Sequence, residues 1–330
     1  MPQRTDQTRR STSPRSHSFL RGREVEIEIG SWPELVAQFA AARTGGWVFR
    51  GQANYSWPLF PSLARRFQTA MVPSSRWEDA ENSSIGFFKH RASAQLDRPP
   101  ADDDLLAWLA LMQHYRAPTR LLDWSGSPFV AAYFAFASAR KDQDAVLWAL
   151  HAYHCRVYAT SVRFEPGPFD HLGLRASASG GPVLAADVGR PRRARENDQI
   201  RSTIRERSFW PLPALPFDID HRMAAQQAVF TVHGDLGRPL DELMDKRHWP
   251  SVQVVRDRDG GGTHRGYEPS QLIKRIQLPH EWQPEALESL AGMGVTAEAL
   301  FPGLDGIGDA TALHVGSGRF TLRDYVTAQT

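Results

Sequence analysis

Three groups of polar residues stand next to apolar stretches of the sequence, and their side chains are the candidates for chemistry. The first group follows the stretch WVF and comprises Arg50, Gly51 and Gln52. The second group follows the stretch LLAWLALM and comprises Gln113, His114, Tyr115, Thr119, Arg120, Asp123, Trp124, Ser125 and Ser127. The third group comprises Arg222, Gln226 and Gln227. Ligand pockets are mostly apolar with a few polar groups, so these residues are expected to line one.

Arg50 is the most informative of these residues because it ends an apolar stretch that is typical of a buried strand. Burying a charge is costly unless the charge is paired, and the planar guanidinium of arginine suits carboxylate and phosphate groups. Gly51 has no Cβ, so it would let a backbone or a ligand approach closely. Arg50 therefore either holds an anionic ligand or ties down a corner of the fold.

Structural roles are the alternative for several other candidates. Arg120 and Asp123 are close enough in sequence to form an ion pair across a turn. His114 stands at the end of an apolar helix, where it could bond a backbone carbonyl instead of a ligand. Trp57 and Trp124 could belong to the core or to a pocket wall rather than stack on a base.

The sequence lacks several familiar catalytic motifs. It contains no phosphate-binding GxxxxGKS/T segment, no GxSxG motif and no HExxH spacing among its 12 histidines. Its single cysteine, Cys155, excludes a disulfide framework and a cysteine-rich zinc site. No metal site is therefore expected. The absence of disulfides favours a reducing compartment, so we expect a cytoplasmic protein.

The elements that would position the candidates follow from the pattern of apolar residues. Residues 24–43 predict a strand and then a helix, with Ser31 as the N-cap and Glu34 at the capping-box position. Residues 76–96 have a helical pattern, and a further helix is predicted from the acidic residues 102–104 to Tyr115. After it, TRLLDWSGSP predicts turns, FVAAYFAFASA a buried helix and AVLWALHAY a buried strand.

The rest of the chain continues the alternation of helices and strands. RPRRARENDQIRSTIRER predicts a solvated loop and a short helix, and QQAVFTVHG and QLIKRIQLP predict strands. PEALESLAGMGV predicts a short amphipathic helix, and LFPGLDGIG predicts a loop. The series fits an α+β fold in which helices pack on a mixed, mostly antiparallel central sheet.

The net charge and the length of the apolar stretches indicate whether the chain contacts nucleic acid or a membrane. The 39 basic and 37 acidic residues give a formal net charge of +2, so the chain as a whole is not a polycation. The RPRRARENDQIRSTIRER segment holds seven arginines and three acids, and contact with nucleic acid is the alternative to a solvated surface there. No stretch approaches the roughly 20 apolar residues of a membrane span, so no membrane contact is expected.

We expect three regions along the chain. Residues 1–23 hold six arginines without an apolar segment and predict a disordered basic tail, with a nucleic-acid-binding arm or a targeting segment as alternatives. Residues 24–315 predict one domain, which carries an Arg-, Pro- and Gly-rich insertion at 160–220. Residues 316–330 predict a C-terminal tail.

Five stretches occur in an order that resembles the FRG domain: WVFRGQ, SWPLFPSLARR, LALMQHYRAPTRLLDWSGSPFVAAYFAF, RMAAQQAVFTVHG and LFPGLDGIG. This bacterial family takes its name from the Phe-Arg-Gly sequence found here at residues 49–51. The chain departs from the family pattern where glycine is usual, at Arg116 or Ala117 and again at Ala228. The departures bear on local backbone geometry.

A fainter resemblance is to the Arg-Ser-Glu class of ADP-ribosyltransferases, and it implies an ADP-ribosyltransferase-like fold with NAD as substrate. In that class a first strand ends in an arginine that holds the NAD phosphate or ribose, and VFRG looks like that element. DWSGSPFVAAYF looks like the second element, with Ser125 and Ser127 in the serine places. QQAVFTV looks like the third, with Gln226 and Gln227 near the catalytic pair.

The resemblance implies a role for each candidate. The residues expected to bind NAD are Arg50, Gly51, Gln52, Gln113, Thr119, Arg120, Ser125, Ser127 and Gln226. The residues expected in catalysis are Asp123, Gln227 and His114. In this scheme His114 and the serines orient the nicotinamide ribose, and Tyr133 or Trp124 stacks on the nicotinamide.

One catalytic group of that class is missing. The class uses a glutamate to stabilise an oxocarbenium-like transition state, and QQAVF contains none. Gln227 can bond a ribose hydroxyl but cannot supply a negative charge. Asp123, Glu81 or Glu78 could fill the place, the acceptor could need no such help, or the chain could bind without catalysing.

Three functions therefore remain open. The first is an NAD-dependent ADP-ribosyltransferase-like enzyme, a toxin or anti-phage defence effector that modifies nucleic acid or protein and that could have an antitoxin partner. The second is a non-catalytic module that binds a nucleotide or nucleic acid, in which Arg50 and Arg120 anchor a phosphate. The third is a structural arginine cluster beside an empty pocket.

Overall fold

The computed structural model describes residues 26–41, 46–140, 142–152, 155–156, 159, 175–176, 182–183, 192–208, 210–215, 220–244, 255–256, 263–264 and 272–317. The basic tail predicted at residues 1–23 lies outside the described residues. Part of the predicted 160–220 insertion and residues 318–330 of the predicted C-terminal tail also lie outside them.

A seven-stranded sheet forms the centre of the fold, with the strand order β1-β11-β4-β2-β3-β8-β7. Its strands are β1 (Glu26–Ile27), β2 (Trp47–Gln52), β3 (Leu121–Ser125), β4 (Ala145–His151), β7 (Leu212–Ala214), β8 (Ala228–Val232) and β11 (Ile273–Leu278). Only the β1–β11 pair is parallel, and the other neighbours are antiparallel. The prediction of a mixed, mostly antiparallel sheet is confirmed.

Two small hairpins complete the described strands. They are β5 (Arg175–Ala176) with β6 (Pro182–Val183), and β9 (Val255–Arg256) with β10 (Thr263–His264).

Eleven α-helices are described. They are α1 (Trp32–Ala41), α2 (Ser62–Thr69), α3 (Trp77–Ala92), α4 (Leu105–His114), α5 (Pro128–Ala137), α6 (Arg192–Arg205), α7 (His221–Ala225), α8 (Leu240–Leu243), α9 (Gln283–Gly292), α10 (Ala297–Leu300) and α11 (Leu304–Ser317). Of the helices within the described ranges, none has the length and apolar character that crossing a bilayer requires.

The helices cover both faces of the sheet and enclose two hydrophobic cores. Alternate residues of β2 separate them, because Val48 packs in one core while Trp47 and Phe49 pack in the other. The first core includes apolar residues of α4, and the second includes residues of α1, α5 and α9. Helices packed on a mixed sheet confirm the predicted α+β class.

Helix starts follow the predicted caps. The Ser31 hydroxyl accepts a hydrogen bond from Glu34 N at 3.3 Å, and the Glu34 carboxylate accepts one from Gly30 N at 3.0 Å. The Asp104 carboxylate caps α4 by accepting from Ala107 N at 3.2 Å. These bonds satisfy N–H groups that the helix leaves without an internal partner.

Two segments predicted as turns or loops are regular elements. TRLLDWSGSP contains β3, a central strand whose Leu121, Leu122 and Trp124 are buried. LFPGLDGIG contains the start of α11, where a Cβ on Gly306 would lie 2.1 Å from Phe301 O. Glycine is needed there for close packing, so it does not mark a loop.

The arginine-rich segment is also more ordered than predicted. It forms α6, a 14-residue helix whose Asn197 side chain is buried. The Asn197 amide accepts from Leu106 N and donates to the Asp104 carboxylate, both at 3.0 Å. Arg193 lies 3.0 Å from Asp104, and Arg156 donates to Glu196 at 3.2 Å. The bonds of Asn197 and Arg193 fix α6 to the start of α4, and Arg156 adds a bond from another segment, so the arginine-rich segment is not only a solvated loop and short helix.

Backbone conformation explains one departure from the FRG pattern. Arg116, which ends the turn after α4, has φ 63°, and Gln227, next to Ala228, has φ 48°. Both values lie in the left-handed region, where glycine is usual. Arg116 and Gln227 therefore adopt, as residues other than glycine, a conformation that favours glycine.

Candidate functional site

A cavity of about 740 Å³ lies beside the junction of β2 and β3. The two strands pair at a single position, Phe49 with Ser125, whereas β2 pairs with β4 at six positions. The cavity lies where β2 and β3 do not pair, and residues of α2, α4, α5, α7 and β8 complete its walls. Incomplete pairing therefore coincides with a space of the size that binds a small molecule.

Arg50 bridges the two strands at the cavity. Its Nη1 donates to Asp123 O at 2.8 Å and lies 3.7 Å from Asp123 Oδ2. Gln113 Nε2 donates to both Asp123 carboxylate oxygens, at 3.0 and 2.9 Å. Thr119 Oγ1 donates to Gln113 Oε1, which fixes the orientation of the Gln113 amide. The carboxylate is thus held in one position beside a guanidinium.

The hydrogen-bonding capacity of Arg50 is only partly used. Its Nε is buried and has no hydrogen-bond partner in the described part of the chain. Burial lowers the pKa of the Arg50 guanidinium, the Asp123 carboxylate raises it, and the nearby Arg65 lowers it. A buried donor without a partner is costly, so an anion that approached Arg50 would relieve that cost.

Arg65 adds a second positive charge to the cavity. It lies on α2, and its Nη1 donates to Phe60 O at 2.5 Å. Burial lowers the pKa of the Arg65 guanidinium, and the Asp123 carboxylate opposes this. Arg222, on α7, also lines the cavity and stacks 4.6 Å from the centre of the Phe301 ring. Among the described lining residues, three arginines therefore face one carboxylate, and the net charge favours an anionic ligand.

Asp123 is the only carboxylate among the described residues that line the cavity. The two other acids considered from the sequence lie elsewhere. Glu81 is buried and bonded to Arg120, and Glu78 is exposed in the first turn of α3. Of the three candidates for the missing glutamate, only Asp123 is positioned to meet a ligand.

The predicted ion pair between Arg120 and Asp123 is wrong. Arg120 is 4% exposed, and its guanidinium donates from two nitrogens to the Glu81 carboxylate. Its Nη1 donates to His233 O at 2.6 Å. Residues three apart on a strand point to opposite faces, so Arg120 enters the core while Asp123 faces the cavity. Neither Arg120 nor Thr119 lines the cavity, and the geometry does not favour a ligand-binding role for them.

The two serines are bonded within the chain. Ser125 Oγ donates to Gln226 O at 2.7 Å and accepts from Ser127 N at 3.0 Å. Ser127 Oγ caps α5 by accepting from Val130 N at 3.3 Å. Ser125 lines the cavity and Ser127 does not. Gln226 also lines it, and its Nε2 donates to Leu300 O at 3.0 Å.

Gly51 and Gln52 line the cavity but have structural partners. A Cβ on Gly51 would lie 1.9 Å from Ala131 O, so this glycine allows β2 to pack closely on α5. Gln52 Oε1 accepts from Trp148 Nε1 at 2.9 Å. The glycine of the Phe-Arg-Gly sequence therefore serves helix packing, while its arginine points to the opposite side of the strand.

The remaining candidates divide between the cavity and other places. His114 lines the cavity, and its Nδ1 lies 2.8 Å from Asp220 Oδ2, which joins the end of α4 to the start of α7. Gln227 is exposed, is not among the lining residues, and its backbone oxygen accepts from Gly126 N at 2.9 Å. The predicted catalytic role of Gln227 therefore has no support from its position.

The two aromatic candidates for stacking differ. Trp124 is buried but borders the cavity, and its indole donates to Thr231 Oγ1 at 2.9 Å. Tyr133 lies in the second core, where burial raises its pKa to about 12. Tyr133 is thus outside the cavity and cannot stack on a ligand there.

Sequence reasoning missed Arg65, Phe60 and Phe134 as lining residues, whereas Trp57, considered as core or pocket wall, does line the cavity. The sequence feature that could have identified Arg65 is SLARRF. It begins an amphipathic helix that buries Leu63, Ala64 and Phe67, and Arg65 lies in its first turn.

One group of potential metal ligands lies outside the cavity. Ligand atoms of Asp144, His280 and Glu281 lie within 4.8 Å of one another. Asp144 Oδ1 accepts from His280 N at 2.9 Å and lies 2.9 Å from His280 Nδ1. These bonds use Asp144 to hold the turn after β11, a role that requires no ion.

Comparison with known proteins identifies one part of the chain. Residues 45–144 match the family model of the FRG domain, so the chain carries an FRG domain there. The matched region contains Arg50, Arg65 and Asp123, together with the Phe-Arg-Gly sequence. A search of curated proteins and a search of solved structures gave no match.

Proposed function

Starting from an FRG domain at residues 45–144, we propose that the chain is an ADP-ribosyltransferase-like enzyme that binds NAD in the cavity beside β2 and β3. One observation carries the proposal: Arg50, with a buried Nε that lacks a partner, stands beside Asp123, the one carboxylate among the described lining residues. A cavity of about 740 Å³ has room for a dinucleotide.

The arginines account for binding of the donor. NAD carries two phosphate groups, and charge-assisted hydrogen bonds from guanidinium groups to phosphate are stronger than bonds between neutral groups. The charge of Arg65 lowers the pKa of Arg50, and the Asp123 carboxylate raises the pKa of both, so a pyrophosphate between the two arginines would be neutralised from two sides. Arg50 would then hold the donor from the sheet and Arg65 from α2.

Asp123 accounts for the chemistry. In ADP-ribosyl transfer, the bond between nicotinamide nitrogen and ribose C1′ breaks, and its electron pair leaves with the nicotinamide. Positive charge develops on the ribose, and a fixed carboxylate stabilises it. The acceptor then forms a bond to C1′ and gives up a proton, which the carboxylate can accept. Gln113 holds both carboxylate oxygens of Asp123, so the charge is already in position.

The acceptor in this proposal is a nucleic acid or a protein. A role as a toxin or anti-phage defence effector, with an antitoxin as partner, extends the proposal on the basis of the resemblance to ADP-ribosyltransferases. Many arginines of α6 are bonded to acidic side chains or carbonyls of the same chain, including Arg193, Arg201 and Arg205. We therefore do not propose α6 as the surface that binds the acceptor.

A non-catalytic binding module is the second candidate. It is favoured by the bonds that already occupy Asp123, because both of its carboxylate oxygens accept from Gln113 and one faces Arg50. A carboxylate held in this way could serve only to orient Arg50 toward a phosphate.

Label transfer from NAD separates the two candidates. The purified full chain is incubated with labelled NAD and single-stranded DNA, RNA or cell lysate, and the NAD-induced rise in Tm is measured in parallel. We expect Arg50→Ala to lose both transfer and the rise in Tm. Asp123→Asn is expected to keep the rise in Tm and to lower the transfer rate roughly 100-fold, because it removes only the charge.

Arg66→Ala is the matched control, because Arg66 adjoins Arg65 on α2 and is exposed, but is not among the lining residues. It should behave like the wild-type chain. A rise in Tm without transfer in the wild type would favour the binding module. A folded wild-type chain that neither responds to NAD nor transfers label would overturn the proposal.

A further inference from the structure

Trp57 is a large aromatic residue of the cavity that belongs to none of the hydrophobic clusters formed by the described residues. It is 51% exposed, lines the cavity and makes no ring contact with another described residue. Trp124, the other tryptophan of the cavity, is buried and bonded through its indole. Exposed tryptophan surface is unfavourable in water and becomes favourable when a ligand covers it.

The backbone holds Trp57 in place before any ligand binds. Trp57 N donates to Asn54 O at 3.2 Å, and Pro58 follows directly. Leu59, two residues on, is fully buried, and its backbone N donates to Asp241 Oδ1 at 2.8 Å. The indole therefore extends from a fixed turn, which lowers the entropy lost when it contacts a ligand.

Trp57 and Arg65 belong to one wall of the cavity. The bond from Arg65 Nη1 to Phe60 O ties the start of α2 to the segment that carries Trp57. An aromatic surface and a guanidinium on the same wall suit a ligand in which a flat ring adjoins a phosphate. Nucleotides have this composition, whereas inorganic phosphate and sugar phosphates lack the ring.

The two rings of NAD differ in the surroundings they need. The nicotinamide must lie beside the reacting C1′ and hence near the carboxylate of Asp123, whose neighbours Trp124 and Ser125 are buried. The adenine takes no part in the reaction and tolerates water on one face. The half-exposed indole of Trp57 matches the second requirement.

We propose that Trp57 is the stacking platform for the adenine ring of the dinucleotide, and that it makes the site selective for adenylates. This inference rests on the proposed function, because it takes the carboxylate of Asp123 as the reacting end. Trp57 acts in ligand selection, and Asp123 acts in the chemistry.

Calorimetric titration of the full chain with three probes tests the inference. The probes are AMP, ADP-ribose and nicotinamide mononucleotide, and the variants are Trp57→Ala and Trp57→Phe. We expect Trp57→Ala to weaken AMP and ADP-ribose roughly 10-fold or more, since stacking of a base on an aromatic ring contributes on that scale. Trp57→Phe should keep most of the affinity, and nicotinamide mononucleotide should bind equally to all forms.

Phe87→Ala is the matched control, because Phe87 is 68% exposed on α3 and is not among the lining residues. Equal weakening of all three probes by Trp57→Ala, or no weakening, would overturn the adenine platform while label transfer from NAD could still support the enzyme. Trp57-dependent binding of AMP without any transfer would support the platform and overturn the enzyme. If the wild-type chain bound none of the three probes, both the adenine platform and the proposed enzyme would be overturned.

Discussion

Two arginine–carboxylate pairs lie on either side of the segment that forms β3, and they differ in how completely each arginine is bonded. The side chains of Arg120 and Glu81 are 4% and 6% exposed, and the guanidinium bonds the carboxylate through two nitrogens and also reaches His233 O. The side chains of Arg50 and Asp123 are 16% and 55% exposed and lie 3.7 Å apart.

The difference separates a fully bonded arginine from one that retains hydrogen-bonding capacity. Arg120 has partners along its whole guanidinium, and removing one partner would leave a buried charge alone. Arg50 makes one hydrogen bond within the described structure and keeps a buried Nε without a partner. Residue type alone therefore does not distinguish the two arginines. The number of hydrogen bonds that each guanidinium makes within the chain does.

The largest expected effect is on stability at the Arg120 pair. Arg120→Ala should lower the free energy of unfolding by about 3–5 kcal/mol, because Glu81 would stay buried and unpaired. Arg50→Ala should change it by less than about 1 kcal/mol, because Asp123 is exposed. Urea unfolding with comparison of midpoints and slopes measures both.

The double variant Glu81→Gln, Arg120→Met is the control for the first pair, since it removes both charges and should recover part of the loss. If Arg50→Ala destabilised the chain as much as Arg120→Ala, Arg50 would be a structural corner of the fold and the binding role would fail.

A smaller effect is expected at Gly51, the neighbour of Arg50. Gly51→Ala should destabilise by roughly 1–3 kcal/mol, because the new Cβ would meet backbone atoms of α5. Gly86→Ala is the matched control in α3, where nothing lies within 4 Å of an added Cβ, and it should stabilise by ~0.5–1 kcal/mol. Thermal unfolding compares them. Loss of NAD binding at Gly51→Ala with unchanged stability would instead make this glycine a ligand contact.

The smallest expected effect is a pH dependence of stability caused by His233, whose backbone oxygen accepts a hydrogen bond from Arg120. Burial lowers the pKa of His233 from 6.5 to about 4, and the charge of Arg120 adds to this, while the Arg238 carbonyl and Asp235 oppose it. Between these values the unfolded chain binds a proton that the folded chain does not, so stability present above pH 6.5 falls as the pH falls. We expect a loss of about 1 kcal/mol between pH 7 and about pH 5.5.

Urea unfolding at the two pH values measures this loss. His233→Gln should remove most of it, and His90→Gln, at an exposed position of α3, should leave it unchanged. An equal pH dependence in His233→Gln would show that other groups cause it.

Local signals in the sequence predicted most elements. The Ser31–Glu34 cap and the acidic start of α4 follow from bonds within one helical turn, and the apolar stretches of β4 and α5 from burial. β3 was missed because Asp123, Ser125 and Gly126 are typical of turns. The polar side chains of Asp123 and Ser125 are explained by the cavity that they line, which a one-dimensional pattern does not contain.

The site was predicted in its members better than in its pairings. Arg50, Gln113, His114, Asp123, Ser125 and Gln226 do meet at the cavity. The partner of Arg120 is Glu81, 39 positions away, and the cavity wall that contains Arg65 and Trp57 comes from another segment. Such contacts depend on how β2, β3 and α2 pack together, and sequence spacing carries no information about them.

The single residue pair between β2 and β3 has a mechanical consequence. Six pairs join β2 to β4 and five join β3 to β8, so among these junctions we expect the sheet to deform most easily at the one pair, Phe49 with Ser125. A ligand that contacts Arg50 from one strand and Asp123 from the other would stiffen this joint. We therefore expect a ligand in the cavity to make the junction of β2 and β3 more rigid.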